Sequence, residues 1–346
     1  MTCRRAAFVA FVVSALAVSA CQARTGEKNT YIFNGPTMGT TFTVKVVTEN
    51  IDQADQTRLQ DLIESELDTV DRKMSHYRED SELSRFNRSS SQEPFPVSPE
   101  TFQVFRHAQE ISALTEGAFD VTAAPLIDLW GFGPEQPPDT VPAKEDIARA
   151  RDQTGHQKLV LDEDSLTIRK LDPLLRCDLS AIAKGYAVDR VAEALGREGL
   201  LDYIVEVGGE VRTAGKNDAG DDWRIAIERP LPGERVIQRT VPLSGMAMAT
   251  SGGYRNFYER DGTRYSHTID PRTGRPVTHD LAAVTVVDEL CVRADGLATG
   301  LLVLGPEVAY ALAVEHDLAA LFLVAEEGGF RERVTPAFEA IQKRVE

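Results

Sequence analysis

Hydrophobic positions with helical spacing alternate with short β-branched runs along this chain. In residues 55–75 the apolar side chains recur every three or four positions, which predicts one long amphipathic helix. Its apolar positions are Leu59, Leu62, Ile63, Leu67, Val70 and Met74. Ser98 followed by Pro99 predicts the start of a second helix that runs to about Thr115. Further helices are predicted at residues 180–198, 292–304 and 306–316.

Short alternating segments predict strands between these helices. Residues 41–47 alternate β-branched and other side chains, and residues 158–162 and 166–169 predict a hairpin. Other predicted strands cover residues 203–207, 211–214, 223–228, 236–243, 246–250, 282–287 and 318–325. Loops are predicted at 89–96 and 131–142. Because no internal repeat or low-complexity linker divides residues 31–346, we predict a single interlocked α+β domain with two sheets or lobes.

The first twenty residues predict an export signal. Arg4 and Arg5 precede an apolar run that ends in small residues, and the run is shorter than a membrane span requires. Cys21 directly follows Ser-Ala, as in bacterial lipoproteins, which predicts cleavage before Cys21 and diacylation of its thiol. Plain secretion with an incidental cysteine is the alternative. We therefore predict a signal peptide at 1–20, a polar tether at 21–30, and a membrane-anchored lipoprotein facing the periplasm. Gln22 leaves the choice between the inner and the outer membrane open.

The charge balance excludes some classes of function. The 346 residues contain 38 Lys+Arg and 54 Asp+Glu, a net charge of −16, which becomes −18 once Arg4 and Arg5 leave with the signal peptide. An acidic chain is a poor candidate for a nucleic-acid binder, which needs a basic face. Cys177 and Cys291 remain after export in apolar segments, which favours two buried thiols, although a disulfide stays open. The sequence has no dinucleotide, P-loop, zinc-protease or hydrolase-elbow motif.

Three clusters offer contacts to a planar ligand. Met38, before Gly39, is suited to the face of a ring, although a plain turn at a strand entry explains the same residues. Tyr77, just after the first helix, can stack on a ring or instead pack against the core. Asp120 follows Gly117-Ala118-Phe119 and can accept a hydrogen bond from a ring N–H. The alternative there is a glycine that ends a helix before a strand.

Two further clusters suit an anion and a cation. Asp178 or Ser180 caps a predicted helix whose Lys184 lies one turn on, a combination that suits a phosphate or a simple surface helix. Asp295 and Thr299 lie four residues apart, so their oxygens share one helix face and suit Mg²⁺. Close helix crossing also explains the glycines beside them. His267 ends a predicted strand before an Asp-Pro turn, where a general base is well placed, although a lone histidine is often structural.

In chain order, eight segments resemble the ApbE family of FAD:protein FMN transferases. They are PTMGT at 36–40, MSHYREDSELSRFN at 74–87, GAFD at 117–120, DLSAIAKGYAVD at 178–189, VGGE at 207–210, ATSGGYRN at 249–256, SHTIDPRTGRP at 266–276 and ADGLATG at 294–300. The resemblance implies an α+β, T-fold-related domain that binds FAD between two lobes. It also implies transfer of FMN from FAD to a Ser or Thr hydroxyl of a target flavoprotein, with release of AMP.

The resemblance also assigns site residues. The flavin contacts would be Met38, Tyr77, Ala118, Phe119, Asp120, Asp178, Lys184 and Ile269. The Mg²⁺ ligands would be the carbonyls of Ala181 and Ala298 with the side chains of Asp295 and Thr299, and His267 would be the base. Two departures are Gly253, where relatives often carry Asp or Ser, and Lys184, which is Glu in some. An FAD pyrophosphatase and a non-catalytic flavin-binding lipoprotein remain as alternatives.

Overall fold

A computed structural model describes residues 28–133, 140–231, 236–253, 257–260 and 262–343. The predicted signal peptide, Cys21, residues 22–27 of the tether, and parts of the 131–142 loop and the 249–256 segment lie outside these ranges. No helix within the described ranges has both the length and the apolar character that a membrane crossing requires.

Among the described residues, five helices correspond to predicted ones and four shorter helices were not predicted. They are α1 Gln53–Met74, α2 Glu82–Arg88, α3 Pro99–Leu114, α4 Ala124–Leu129, α5 Lys144–Asp152, α6 Ala183–Arg197, α7 Cys291–Leu304, α8 Pro306–Glu315 and α9 Pro336–Lys343. Helix α1 begins where the Asp52 carboxylate accepts a hydrogen bond from the backbone N–H of Asp55, at 2.9 Å. Helix α3 begins in the same way at Ser98, as predicted.

The strands form mostly antiparallel hairpins. They are β1 Asn29–Thr37, β2 Thr40–Thr48, β3 Phe95–Pro96, β4 Leu159–Asp162, β5 Thr167–Lys170, β6 Tyr203–Val207, β7 Glu210–Ala214, β8 Trp223–Glu228, β9 Ile237–Leu243, β10 Ala247–Gly252, β11 Phe257–Arg260, β12 Thr263–Ser266, β13 Ile269–Asp270, β14 Arg275–Pro276, β15 Leu281–Asp288, β16 Ala319–Glu326 and β17 Gly329–Val334. Strand β1 begins at Asn29, inside the segment assigned to a tether.

One antiparallel sheet separates two hydrophobic cores. Its strand order within the described residues is β1-β2-β6-β7-β10-β15-β16-β17. Alternate residues face opposite sides: Val286 packs with the helical layer of α1, α3, α6 and α7, whereas Val287 packs with β8, β9 and α9. This arrangement confirms the predicted α+β fold.

A third, smaller core joins α4 and α5 to the β13–β14 hairpin. It contains Leu126, Trp130, Ile147 and Ile269, and the Trp130 indole N–H donates to the Gly274 carbonyl at 2.9 Å. The turn of that hairpin is closed by the Gly274 N–H, which donates to the Asp270 carbonyl at 2.8 Å. The predicted strand-turn-strand at 266–276 is therefore confirmed.

Three local expectations differ from the structure. Residues after Asp120 form a short 3-10 helix at Val121–Ala123 rather than a strand, because the Asp120 carboxylate accepts from the Thr122 N–H. Helix α6 begins at Ala183, since residues 180–182 form a turn. Strand β1 escaped prediction because it is an edge strand whose Ile32 is 57% exposed, so its pattern of apolar positions is weak.

Both predicted buried thiols are confirmed. Cys177 and Cys291 are free and fully buried, and burial raises the pKa of each thiol. Cys291 begins α7, where its carbonyl faces a glycine of α6. A methyl group built on Gly185 would lie 2.4 Å from the Cys291 carbonyl oxygen and 2.8 Å from the Asp295 Cβ. Gly185 therefore sets the distance between α6 and α7.

Substitution of Gly185 by alanine is expected to destabilise the fold by about 1–3 kcal/mol, because backbone of α7 must move away. Gly196→Ala is the matched control in the same helix, since nothing lies within 4 Å of its added methyl group. The control should gain up to about 1 kcal/mol from helix propensity. Urea unfolding measures both free energies. Equal stability of the two variants would contradict the close α6–α7 contact.

Candidate active site

A cavity of about 830 Å³ opens between the helical layer, strand β8 and the β13 segment. Eleven of the thirteen side chains and backbone positions predicted for the site line it. They are Tyr77, Ala118, Phe119, Asp120, Asp178, Ala181, Lys184, His267, Ile269, Asp295 and Thr299. Predicted residues as far apart as Tyr77 and Thr299, which are 222 positions apart in the chain, thus meet at one cavity.

Two predicted residues do not line this cavity. Met38 occupies the turn between β1 and β2, with φ of 45°, and its side chain packs against the main core. Its neighbours Thr40 and Thr41 line the cavity instead. Ala298 is fully buried inside α7. Their predicted contacts to flavin and metal stay predictions.

Tyr77 presents its ring at the cavity rather than to the core. The residue is 68% exposed, and its ring centroid lies 4.0 Å from that of His76, with the planes tilted by 38°. Partial burial and the negative charges of Asp178 and Asp128 raise the pKa of the Tyr77 hydroxyl. Because a large aromatic side chain stands open at the cavity wall, the structure favours a stacking surface over a core contact.

Asp120 uses most of its acceptor capacity within the protein. Its Oδ1 accepts from the Thr122 N–H at 2.8 Å and the Thr122 hydroxyl at 2.7 Å, and its Oδ2 accepts from the His156 N–H at 2.8 Å. Burial raises the pKa of the carboxyl group, although these hydrogen bonds oppose the shift. A carboxylate has about four acceptor positions, so roughly one remains for a ligand N–H.

His76 and Asp178 form a buried pair at the edge of the cavity. The His76 Nδ1 lies 3.3 Å from the Asp178 Oδ1, which also accepts from the Ser180 N–H at 2.8 Å. Burial opposes the charge on both groups. Their mutual hydrogen bond and attraction outweigh it, raising the pKa of His76 and lowering that of Asp178. Asp178 therefore accepts a backbone hydrogen bond from the turn that precedes α6, rather than from the first turn of the helix itself.

Lys184 contacts two carboxylates in the structure. Its Nζ lies 2.8 Å from the Glu210 Oε1 and 3.8 Å from the Asp295 Oδ2. Burial disfavours the ammonium, but the two negative charges outweigh it and raise the pKa of Lys184. Burial, with the nearby Asp295, raises the pKa of Glu210 against the opposing effect of Lys184. The phosphate contact predicted for Lys184 therefore competes with these ion pairs.

Oxygen atoms suited to a divalent cation line the same cavity as Lys184. The Asp295 Oδ2 accepts from the Gly185 N–H at 2.9 Å, and the Thr299 hydroxyl lies 2.8 Å from that of Ser251. The Glu210 Oε2 is buried and has no hydrogen-bond partner in the described part of the chain. No three acidic, histidine or cysteine side chains cluster as metal ligands within that part. A set of one or two carboxylates, a hydroxyl and carbonyls nevertheless fits Mg²⁺, which retains waters.

His267 lies directly after β12 and lines the cavity. Its ring meets that of Phe132 edge-on, with centroids 6.3 Å apart. The next residue, Thr268, is fixed by its N–H, which donates to the Ser266 hydroxyl at 3.2 Å. The segment therefore presents an imidazole to the same space that Asp295 and Thr299 face.

A comparison with family sequence models decides the family. The ApbE family model matches residues 38–322 of this chain.

This chain belongs to the ApbE family.

Individual ApbE proteins resemble it over most of their length. It is 47% identical over 306 residues to an FAD:protein FMN transferase of Vibrio cholerae, covering 88% of this chain and 91% of that one. It is 40% identical over 339 residues to one of Haemophilus influenzae, covering 97% of each. The solved structure of the flavin transferase ApbE from Vibrio cholerae superposes with a TM-score of 0.83 at 45% identity, covering 90% of this chain and 99% of that one.

Two residues that line the cavity were not predicted for the site from the sequence. Glu210 stands in the Gly-Gly-Glu segment, and His76 stands beside Tyr77 in the second cluster. Neither received a role, because an isolated acid or histidine gives no signal of its own partner. The Gly208-Gly209 turn before Glu210 was the available hint, since such turns bring backbone and the following side chain close to a ligand.

Proposed function

We propose that this protein transfers FMN from FAD to a Ser or Thr hydroxyl of a target flavoprotein through a phosphodiester bond, releasing AMP. The observation that carries the proposal is that an exposed aromatic ring, an Asp-Thr pair on α7 and a histidine line one cavity. Its volume of about 830 Å³ suits a ligand of the size of FAD. The relatives with these names support the same chemistry.

The flavin end of FAD would lie against the wall that contains Tyr77 and Phe119. Tyr77 offers the exposed ring for stacking, and Phe119 and Ile269 provide apolar surface. The free acceptor position of Asp120 is available for the ring N–H. Binding at this end positions the pyrophosphate without taking part in the bond changes.

The pyrophosphate end would lie towards α7. Asp295 and Thr299, with the Ala181 and Ala298 carbonyls, would hold Mg²⁺ there, and the ion would neutralise the pyrophosphate and the departing AMP. Lys184, which pairs with Glu210 and lies near Asp295, supplies a second positive charge there. A protein of net charge −16 needs such cations to hold an anionic substrate.

The proton transfer would fall to His267. The target hydroxyl attacks the phosphorus on the FMN side, the bond from that phosphorus to the bridging oxygen breaks, and AMP leaves with this oxygen. His267 accepts the hydroxyl proton as the new phosphodiester forms. The acceptor hydroxyl belongs to a partner protein, which would be a periplasmic or membrane-exposed redox subunit.

Incubation of the mature protein with FAD, Mg²⁺ and a target flavoprotein tests the activity. Flavin fluorescence on the target in a denaturing gel supports the transferase. Free FMN and AMP in equal amounts would instead assign an FAD pyrophosphatase, with water as acceptor. Intact FAD in a stable complex would leave only a flavin-binding lipoprotein.

We propose in addition that the chain is exported and anchored by lipid at Cys21. The basic and apolar signal and the small residues before Cys21 support this. Two acyl chains would hold the protein on the membrane facing the periplasm, whereas one would not. Mass spectrometry of the membrane-extracted protein is expected to find an N-terminal diacylated cysteine. An N-terminus without lipid, or one that retains residues 1–20, would contradict the anchor.

A further inference from the structure

Four aromatic rings stack on one another beside His267. In order along the stack they are Trp130, Tyr265, Tyr258 and Phe132. Neighbouring ring centroids lie 5.6, 5.3 and 5.3 Å apart, and the ring planes are tilted by 29°, 27° and 26°. Such distances are typical of favourable aromatic pairs. These four residues are called the aromatic stack below.

The outer rings of the aromatic stack come from the end of α4, and the inner rings come from the β11–β12 hairpin. Gly131, with φ of 74°, separates Trp130 from Phe132. A glycine in this conformation ends a helix and turns the chain, so the two rings can stand apart. Tyr258 and Tyr265 lie directly opposite each other in the hairpin. The tyrosine pair is therefore held between the two rings of the α4 segment.

The hairpin needs this contact to keep its position. Strand β11 pairs with β12 and with no third strand in the part of the chain that the structure describes. A two-stranded hairpin is marginally stable in water unless it packs against another element. The aromatic stack supplies this packing, and Trp130 is itself 1% exposed and hydrogen-bonded to Gly274. The end of α4 therefore sets the position of β12.

His267 follows directly from this hairpin. Strand β12 ends at Ser266, and Ile269, just after His267, packs in the third core with Trp130. The backbone on each side of His267 is thus anchored to the same part of the protein. The imidazole also meets the aromatic stack, because the Phe132 ring lies edge-on to it, with planes at 69°. Both side chains line the large cavity.

We propose that Phe132 is a positioning residue for His267, and that it holds the imidazole in the orientation that accepts the proton of the target hydroxyl. This inference rests on the proposed FMN transfer. Phe132 contacts both Tyr258 and His267, so it connects the base to the anchored hairpin. Phe132 has no group that donates or accepts a proton, so it acts through the imidazole that it touches. A base displaced by about 1 Å can lower a rate about a hundredfold.

Single-turnover FMN transfer to a target flavoprotein, at saturating FAD, tests the proposal. Phe132→Leu should lower the transfer rate about tenfold to a hundredfold and leave FAD affinity unchanged. Phe132→Tyr keeps the aromatic ring and should retain most of the rate. In a His267→Ala background, Phe132→Leu should cause no further loss, because there is no imidazole left to position.

Phe95→Leu is the matched control. Phe95 is half-buried, as Phe132 is, and its ring also meets another ring edge-on, that of Phe86, with centroids 5.5 Å apart. Phe95 does not line the large cavity. Its substitution should remove a similar apolar contact and leave the transfer rate as in wild type. Thermal unfolding of each variant reports whether the fold is kept.

Several results would overturn the proposal. One is a wild-type rate in Phe132→Leu. Another is an equal loss with and without His267, which would show that Phe132 acts on the fold or on another group. Weaker FAD binding with an unchanged rate at saturation would place Phe132 against the flavin.

The wild-type protein separates this inference from the proposed function. If wild type transfers no FMN, the proposed function fails and the role of Phe132 falls with it. If wild type is active and the losses from Phe132→Leu and His267→Ala are additive, only the role of Phe132 is removed. Should Phe132→Leu fail to fold, Phe132→Met takes its place, because a flexible methionine fills irregular gaps in a core.

Discussion

The Asp295→Ala variant is expected to lose FMN transfer and Mg²⁺ binding together. Asp295 is 3% exposed and lies on the face of α7 that it shares with Thr299, at the cavity. Removal of its carboxylate takes away the charged ligand proposed for the ion. Because a metal contributes several kcal/mol of charge stabilisation, we expect the rate to fall roughly a thousandfold or more at physiological Mg²⁺.

A second substitution separates this effect from damage to the fold. The Asp295 Oδ2 accepts from the Gly185 N–H at 2.9 Å, so alanine leaves a buried donor unpaired. Asp295→Asn retains an oxygen for that N–H and the shape of the side chain, but not the charge. We expect Asp295→Asn to unfold at nearly the wild-type temperature and still to lose Mg²⁺ affinity by calorimetry. Full transfer at ordinary Mg²⁺ in either variant would remove the metal assignment.

The His267→Ala variant is expected to bind FAD normally and to lose FMN transfer. A general base contributes about a hundredfold to ten-thousandfold to a rate, so turnover should fall within that range. FAD affinity should hold, because the stacking surface lies on other segments of the cavity wall. Single-turnover transfer to a target flavoprotein, with FAD binding measured on the same preparation, checks both expectations.

Chemical rescue makes the role of His267 more specific. Added imidazole should restore part of the activity of His267→Ala, because it can enter the space left by the ring and accept the proton. The control is His316→Ala, at the exposed end of α8, which should behave as wild type. Unchanged turnover in His267→Ala would show that another group takes the proton. Loss of FAD binding without a separate loss of transfer would assign His267 to binding instead.

The local sequence predicted the position of an element well where one face of that element is buried. Helix α1 matches its prediction within two residues at its start, and strands β6 and β8 match theirs at both ends. Prediction failed where tertiary contacts or capping overrode the pattern. Strand β1 lies at the exposed edge of the sheet, and the turn after Asp120 is fixed by side-chain hydrogen bonds.

The candidate site was predictable as a set of residues but not as a set of contacts. The eight segments resemble the ApbE family, and that resemblance implied eleven of the residues that line the cavity. Met38 and Ala298 were exceptions, since the folded chain directs Met38 towards the core and encloses Ala298 in α7. The sequence suggested Lys184 for a phosphate or for a simple surface helix, but did not predict its ion pairs with Glu210 and Asp295.

The sequence by itself determined the α+β class, the family and many of the elements, because these depend on short-range spacing of apolar, glycine and capping residues. Only the tertiary structure decided which charged groups meet. His76 and Asp178 are 102 residues apart, and Gly185 and Asp295 are 110 apart. Such pairs form because α6 and α7 pack at a distance set by Gly185 and α1 packs against α6. Charged residues that are so far apart in the sequence leave no local pattern that pairs them. Their effect on each other's pKa and on ligand binding therefore depends on how the helices pack on the sheet.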